Sequence, residues 1–194
     1  MTQSPERRLE EIVRSGPTLM QVLTTVRDLD LPDWLIFSGA VYQRVLNHLT
    51  GRDLDYGIKD YDLGYHDPSD TSYEAEDAVI RRVVAAFEPP LRALVEVRNQ
   101  ARVHLWFEGK FGEPYAPLTC TAMALERFTS ATFSVGVRLE PDGRLTVVAP
   151  FGLDDLFALR LRPNPTRDTS GFARTAAAAV ARWPELTVVN WPLA

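Results

Sequence analysis

The chain has 194 residues, 45% of them apolar and 24% charged, which suits one soluble globular domain with its own core, with or without a small appendage. A formal net charge of −5 argues against extensive wrapping of nucleic acid, and the single cysteine, Cys120, excludes an intrachain disulfide and a cysteine-rich zinc site. No apolar run is long enough to span a bilayer and residues 1–8 lack the apolar stretch of a secretion signal, so a cytoplasmic protein without membrane contact is expected.

Ser4-Pro5 ahead of Leu9 and Ile12 predicts a capped helix, which Gly16-Pro17 ends while opening a second one through Val26. Residues 1–30 are therefore expected to be an N-terminal helical segment, and 31–194 a single globular unit. Trp34 to Phe37 is a short apolar run that reads as a buried strand. Ser38-Gly39-Ala40 then turns into a helix reaching Gly51. A polar loop from Gly51 to Gly57 precedes a strand over 58–65. Ser72 caps a helix with Val79, Ile80, Val83, Val84 and Phe87 as its core stripe, its first-turn acids Glu74, Glu76 and Asp77 complementing the helix dipole. Leu94 to Val97 is strand-like and Val103 to Phe107 reads as strand too, either separate or continuous with it. A helix is expected near 119–128. A hairpin joins 133–139 to 144–148 through Pro141-Asp142-Gly143. A helix over 153–161, another over 175–183 and an apolar tail complete the chain. This order predicts an α+β fold, a small mixed sheet with helices packed on it. Trp34 and Trp106 are assigned to the core, His48 and His66 to the surface, and Cys120 to a small buried site.

Lys59-Asp60-Tyr61-Asp62-Leu63 sets two carboxylates two residues apart in an apolar, aromatic run. On a strand both project from one face, where they repel each other and are costly to bury unpaired. A polar strand end is the bland explanation; a divalent cation is the chemical one, because hard oxygen donors are what Mg²⁺ selects. A third carboxylate, Glu96, stands between Val95 and Val97. Ahead of both, a small-residue turn opens a helix at Gly39, where backbone N–H groups can approach phosphate. On a continuing strand Arg98, Gln100, Arg102 and His104 share the face of Glu96 and become candidate nucleotide contacts. Lys59 alternates away from the aspartates but lies near enough to offset phosphate charge.

These features resemble the nucleotidyltransferases of the DNA polymerase β superfamily, whose pattern is an apolar strand, a Gly-containing turn opening a helix, Asp-x-Asp, and a later isolated acid. More narrowly the chain is similar to a bacterial nucleotidyltransferase-like family formerly catalogued as a domain of unknown function. The likeness runs through Gly39-Ala40-x-x-Gln43, Gly57-Ile58-Lys59-Asp60-Tyr61-Asp62, the acidic Glu74-Ala75-Glu76-Asp77, Val95-Glu96-Val97-Arg98-Asn99-Gln100, Gly152-Leu153-Asp154-Asp155 and Arg162-Pro163-Asn164-Pro165, covering about residues 30 to 190. Two departures stand out. The second turn position is Ala40 where a serine hydroxyl often serves, the nearest one here being on Ser38, and the loop leading to Asp60 is long.

The resemblance implies a polymerase β-like core with a C-terminal hairpin and helices. It implies transfer of a nucleoside monophosphate from an NTP to a hydroxyl of a small molecule or protein, with release of pyrophosphate. Asp60, Asp62 and Glu96 would hold Mg²⁺ or Mn²⁺ and serve catalysis, and Ser38, Gly39 and Ala40 would cradle phosphate. Two other readings stay open: a nucleotide- or metal-binding module of the same fold without turnover, and a metal-free hydrolase using Asp62 and Glu96.

Overall fold

The computed structural model describes residues 3–167 and 171–189, so the end of the apolar tail lies outside the described residues. Helix α1 (Pro5–Ser15) starts where the Ser4 hydroxyl accepts from the Arg7 N–H at 3.3 Å, and it stops at Gly16. Helix α2 (Pro17–Asp28) follows at once, because proline costs nothing at a first helical turn. Strand β1 (Leu35–Phe37) leads directly into α3 (Gly39–Leu49). Strand β2 (Tyr61–Tyr65), helix α4 (Tyr73–Ala85) and strand β3 (Val95–Asn99) form a β–α–β crossover. Strands β4 (Gly136–Leu139) and β5 (Leu145–Val148) form the expected hairpin. Short pieces complete the chain: α5 (Phe107–Phe111), α6 (Asp154–Phe157), β6 (Arg160–Leu161), α7 (Phe172–Arg182) and β7 (Thr187–Val188).

The main sheet has the order β3-β2-β1-β4-β5, with β2 and β3 parallel and every other pair antiparallel. It is the small mixed sheet of an α+β fold. One face carries Ile36, Leu63, Val97 and Val137, buried with Leu9, Val13, Leu23, Val41 and Val45 of the helices and Trp183 after α7. The opposite face is thinly covered. Leu35 and Phe37 pack there on Leu125, which belongs to a 3₁₀ segment, Thr121–Arg127. Gly64 is required on that face: a Cβ there would lie 2.5 Å from the Phe37 ring and 3.0 Å from Thr121. Asp33 anchors the segment by accepting from the Thr121 N–H at 2.6 Å. No helix among the described residues is long and apolar enough to cross a membrane.

Several expected elements are corrected. Strand β2 begins at Tyr61, not Ile58, because a turn at Asp55–Ile58 with Gly57 at φ 71° delays pairing. Val103 to Phe107 is not strand; it forms a 3₁₀ turn, Val103–Leu105, running into α5. The ladder stops because the Asn99 side chain bonds locally instead, donating to the Asp67 carbonyl at 2.8 Å and accepting from Asp67 and Ala101 N–H groups. The helix expected over 153–161 is a single turn, ended by Leu159 at φ 53°. The helix expected near 119–128 is 3₁₀. Trp106 is half-buried rather than core, as is Cys120. His66 is half-buried with its Nε2 2.9 Å from the Leu118 carbonyl, whereas His48 is exposed as expected. Glu76 does more than oppose a dipole: it is 4% exposed, accepts from the Asn99 N–H at 2.8 Å and pairs with Arg102.

Candidate active site

Strand register assembles the site. Phe37 lies opposite Asp62 on β1 and β2, and Asp62 lies beside Glu96 on β2 and β3. Neighbouring strands are about 4.8 Å apart, so the three side chains form one row across the thinly covered face. Tyr61, Leu63, Val95 and Val97 point the other way, into the core. Asp60 sits just outside the strand, half-buried, yet close enough to act on Asp62.

Burial, followed by the charge of Asp60, pushes the Asp62 carboxyl up to about 6; Glu96 adds to this, while the Ser38 hydroxyl and Arg98 oppose it. Asp62 and Glu96 adjoin and Asp60 lies within their field, with Arg98 opposing; their oxygens are the hard donors that a magnesium-like cation takes. Among the described residues no group of three or more His, Cys, Asp or Glu side chains is placed to hold a metal ion by itself. A cation held here would therefore complete its shell with water and substrate phosphates, as Mg²⁺ commonly does.

Ser38 joins strand to helix at φ 64°, ψ −142°, a conformation that favours glycine. Its side chain does not cap α3 but hydrogen-bonds Asp62, leaving the first N–H groups of the helix without side-chain partners. At Gly39, one step on, a Cβ would lie 2.5 Å from the Gln43 amide nitrogen, so any larger residue would displace the end of that side chain. Ser38→Gly is expected to raise stability by about 1 kcal/mol through relief of backbone strain. Chemical denaturation checks this, and a loss would mean that the bond to Asp62 outweighs the strain.

A profile of a family described as "Nucleotidyltransferase" matches residues 24–188, most of the chain. The chain belongs to this nucleotidyltransferase family. A solved structure described as revealing "a CCA-adding enzyme head domain" is similar in fold, with a TM-score of 0.76 and 24% identity over 95% of this chain and 96% of that one. No curated protein matches the chain.

Not every sequence candidate in this nucleotidyltransferase lies at the row of carboxylates. Arg98 shares the face of Glu96, and Gln100, 5% exposed, lines a pocket of about 200 Å³ that opens on Asp62 and Glu96. Arg102 is turned onto α4, held by Glu76 and by the Thr71 carbonyl at 3.1 Å. Because β3 ends at Asn99, the alternation that grouped Arg102 and His104 with Glu96 does not apply. His104 is half-buried in the turn beyond, with a buried Nδ1 that lacks a partner among the described residues. Lys59 is exposed.

Two groups of residues escaped sequence reasoning. The first lines a cleft of about 350 Å³ between α3 and α7, where Tyr42 stacks on Phe133 at 3.9 Å. Arg182 donates to the Gln43 side chain at 2.9 Å and to the Gly57 carbonyl at 3.1 Å, and Arg174 lines the same cleft. Burial raises the Tyr42 phenol, with Arg182 pulling it down and Asp62 and Asp60 pushing it up. Tyr42 thus lies within the fields of both the α7 cation and the carboxylates. The second group is aromatic, Trp106, Phe107, Tyr115 and Phe128, walling the pocket beside Glu96. Gln43 belonged to the family likeness, but its arginine partner lies 139 residues away. A larger cavity of about 770 Å³ lies between α1 and β5, where Arg14 pairs with Glu10 at 2.8 Å, away from the carboxylates.

Proposed function

We propose that this nucleotidyltransferase moves a nucleoside monophosphate from an NTP to a hydroxyl and releases pyrophosphate. The observation that carries the reading is the row of Asp62 and Glu96 beside the strand-to-helix turn at Ser38, with Asp60 adjoining. Asp60, Asp62 and Glu96 would hold Mg²⁺ or Mn²⁺, which supplies neutralisation of phosphate charge when bound.

Ser38, Gly39 and Ala40 receive the β- and γ-phosphates at the positive end of α3. Arg182 of α7, bonded to Gln43 one turn into α3, and Arg174 in the same cleft would extend the positive field along the phosphate chain. The acceptor hydroxyl oxygen attacks the α-phosphorus as the bond from that phosphorus to the bridging oxygen breaks. Pyrophosphate leaves with the bonding electrons, and the hydroxyl proton passes to the Glu96 carboxylate. The acceptor is a small molecule or a protein hydroxyl, since the net charge of −5 disfavours a long nucleic-acid track.

Thermal unfolding with each of four NTPs, with Mg²⁺ and with chelator, tests this reading. A nucleotide at a hundred times its Kd should add about 2.7 kcal/mol of stability, dependent on Mg²⁺ and lost in Asp60→Ala. Pyrophosphate release separates turnover from a module that only binds. A shift with every NTP insensitive to chelator, or none at all, would sink the proposal.

A further inference from the structure

We propose that the aromatic pocket beside Glu96 is the acceptor site, and that its acceptor is a small alcohol carrying a planar aromatic ring and an anionic group. This rests on the nucleotidyl-transfer reading and narrows its acceptor.

Direction comes from the row across the sheet. The turn at Ser38 follows β1, Asp62 is on β2 and Glu96 is on β3 at the edge. Phosphate bound at the start of α3 places the leaving pyrophosphate on the β1 side. In-line displacement requires the entering oxygen on the opposite side of the phosphorus, which is the Glu96 side. A pocket of about 200 Å³ lies there, with Asp62 and Glu96 among its lining residues.

Its walls define what it takes. Phe107 lies 4.4 Å from Tyr115 and 6.1 Å from Trp106, centroid to centroid, and all three are half-buried. Phe128 meets Phe37 edge-on at 5.9 Å, and both also line the pocket. Such walls select a flat ring by stacking, and the volume admits a single or fused ring rather than a polymer. Gln100 contributes a buried amide whose nitrogen, among the described residues, makes one long contact, 3.4 Å, to the Arg98 carbonyl. Arg98 and Arg127 stand at the rim, and among the described residues neither forms an ion pair. Arg127 lies over the Tyr115 ring at 5.5 Å and covers that face itself, which sets its guanidinium beside the aromatic walls to meet an anion on a ring held against them. Asp62 and Glu96 match the two arginines in the lining, so the arginines favour an anion once the carboxylates are engaged by a cation and substrate.

The test reads the indole N–H signal of Trp106 by NMR in the full chain, assigned by its loss in Trp106→Phe. The probes are para-(hydroxymethyl)benzoate, the uncharged benzyl alcohol, and the saturated para-(hydroxymethyl)cyclohexanecarboxylate. The aromatic acid should move the Trp106 signal, both analogues should bind at least tenfold more weakly, and Arg127→Ala should weaken the aromatic acid at least tenfold. The NTP-dependent melting shift should survive in Trp106→Ala, or in Tyr115→Ala should the first variant not fold. An unmoved indole signal, or equal binding of all three probes, overturns the proposal. So does loss of the NTP shift in a folded pocket variant, which would make the pocket a nucleobase site. A short single-stranded RNA that moves the signal where the aromatic acid does not also overturns it. An absent NTP shift in the unaltered protein, with the indole response intact, overturns the transfer reading and leaves the ligand chemistry of the pocket standing.

Discussion

Asp62→Asn is expected to cut nucleotidyl transfer at least about a hundredfold while raising the melting temperature at neutral pH. The two effects share one cause. Asp62 sits in a row with Glu96, next to Asp60, partly withdrawn from water, and its carboxyl is pushed up to about 6. In the unfolded chain it has an ordinary carboxylate value near 3.8. The folded state therefore holds this proton more tightly than the unfolded state does. Between about pH 4 and pH 6 the native protein binds the extra proton, so stability falls as pH rises through that window and levels off above it. At pH 7 the full penalty is present, on the order of 2 kcal/mol after allowance for residual exposure. Asparagine keeps the shape without the charge, so the variant should melt several degrees higher at pH 7 and no higher at pH 4. Activity should fall roughly 10²–10³-fold or more, the scale on which lost electrostatic stabilisation of a transition state shows. Melting curves from pH 4 to 7.5, with turnover measured at saturating NTP, check both halves. A variant less stable than the parent at pH 7 would show that Asp62 is a satisfied structural carboxylate.

That penalty was half-visible in the sequence. Alternation about Leu63 put Asp62 opposite the core, and Val95-Glu96-Val97 did the same for Glu96, so the carboxylate row follows from local pattern once the two strands pair. The pairing itself is a long-range event carried by α4. Caps at Ser4 and Ser72 were legible because their hydrogen bonds span three residues. The aromatic pocket was not, because Val103 to Phe107 has the composition of a strand and is diverted by the Asn99 side chain bonding to Asp67, 32 residues earlier. The α7 arginines were equally hidden. An alanine-rich helix announces itself, but not that its Arg182 will reach Gln43. Ser38 was noticed for its hydroxyl, whereas its left-handed backbone and its contact with Asp62 needed coordinates.

The second large effect is expected at Asp55→Ala, which should cost about 3–5 kcal/mol although Asp55 touches no candidate substrate site. Arg44 of α3 lies among the core residues with its side chain 0% exposed, and it pairs with Asp55, whose side chain is 40% exposed. Two guanidinium nitrogens, Nε and Nη1, have no hydrogen-bond partner among the described residues, so compensation for the buried charge comes from Asp55, the one carboxylate paired with it, helped by a hydrogen bond to the Tyr61 phenol oxygen. Removing Asp55 strands that charge, and the Thr18 hydroxyl loses its acceptor at 2.9 Å as well. Removing the cation is different, because Asp55 can turn to water. Arg44→Met should therefore cost much less than Asp55→Ala, and the double variant should resemble Arg44→Met rather than the sum of the two. For a chain of this size the loss in Asp55→Ala amounts to roughly 10 °C in melting temperature. A cost below about 1 kcal/mol would mean that water reaches the guanidinium and the charge is not buried at all. The pair also bears on function through the loop it holds. Asn47 donates to the carbonyls of Leu54 and Tyr56 at 3.1 and 2.8 Å and accepts from the Trp183 indole at 2.9 Å, tying that loop to α3 and to the end of α7. Asp60 follows the same loop by five residues and is not itself held in a strand. A loosened Asp55 should thus weaken Mg²⁺-dependent NTP binding in whatever fraction remains folded, whereas Arg44→Met, with the Asn47 bonds intact, should leave it nearly unchanged.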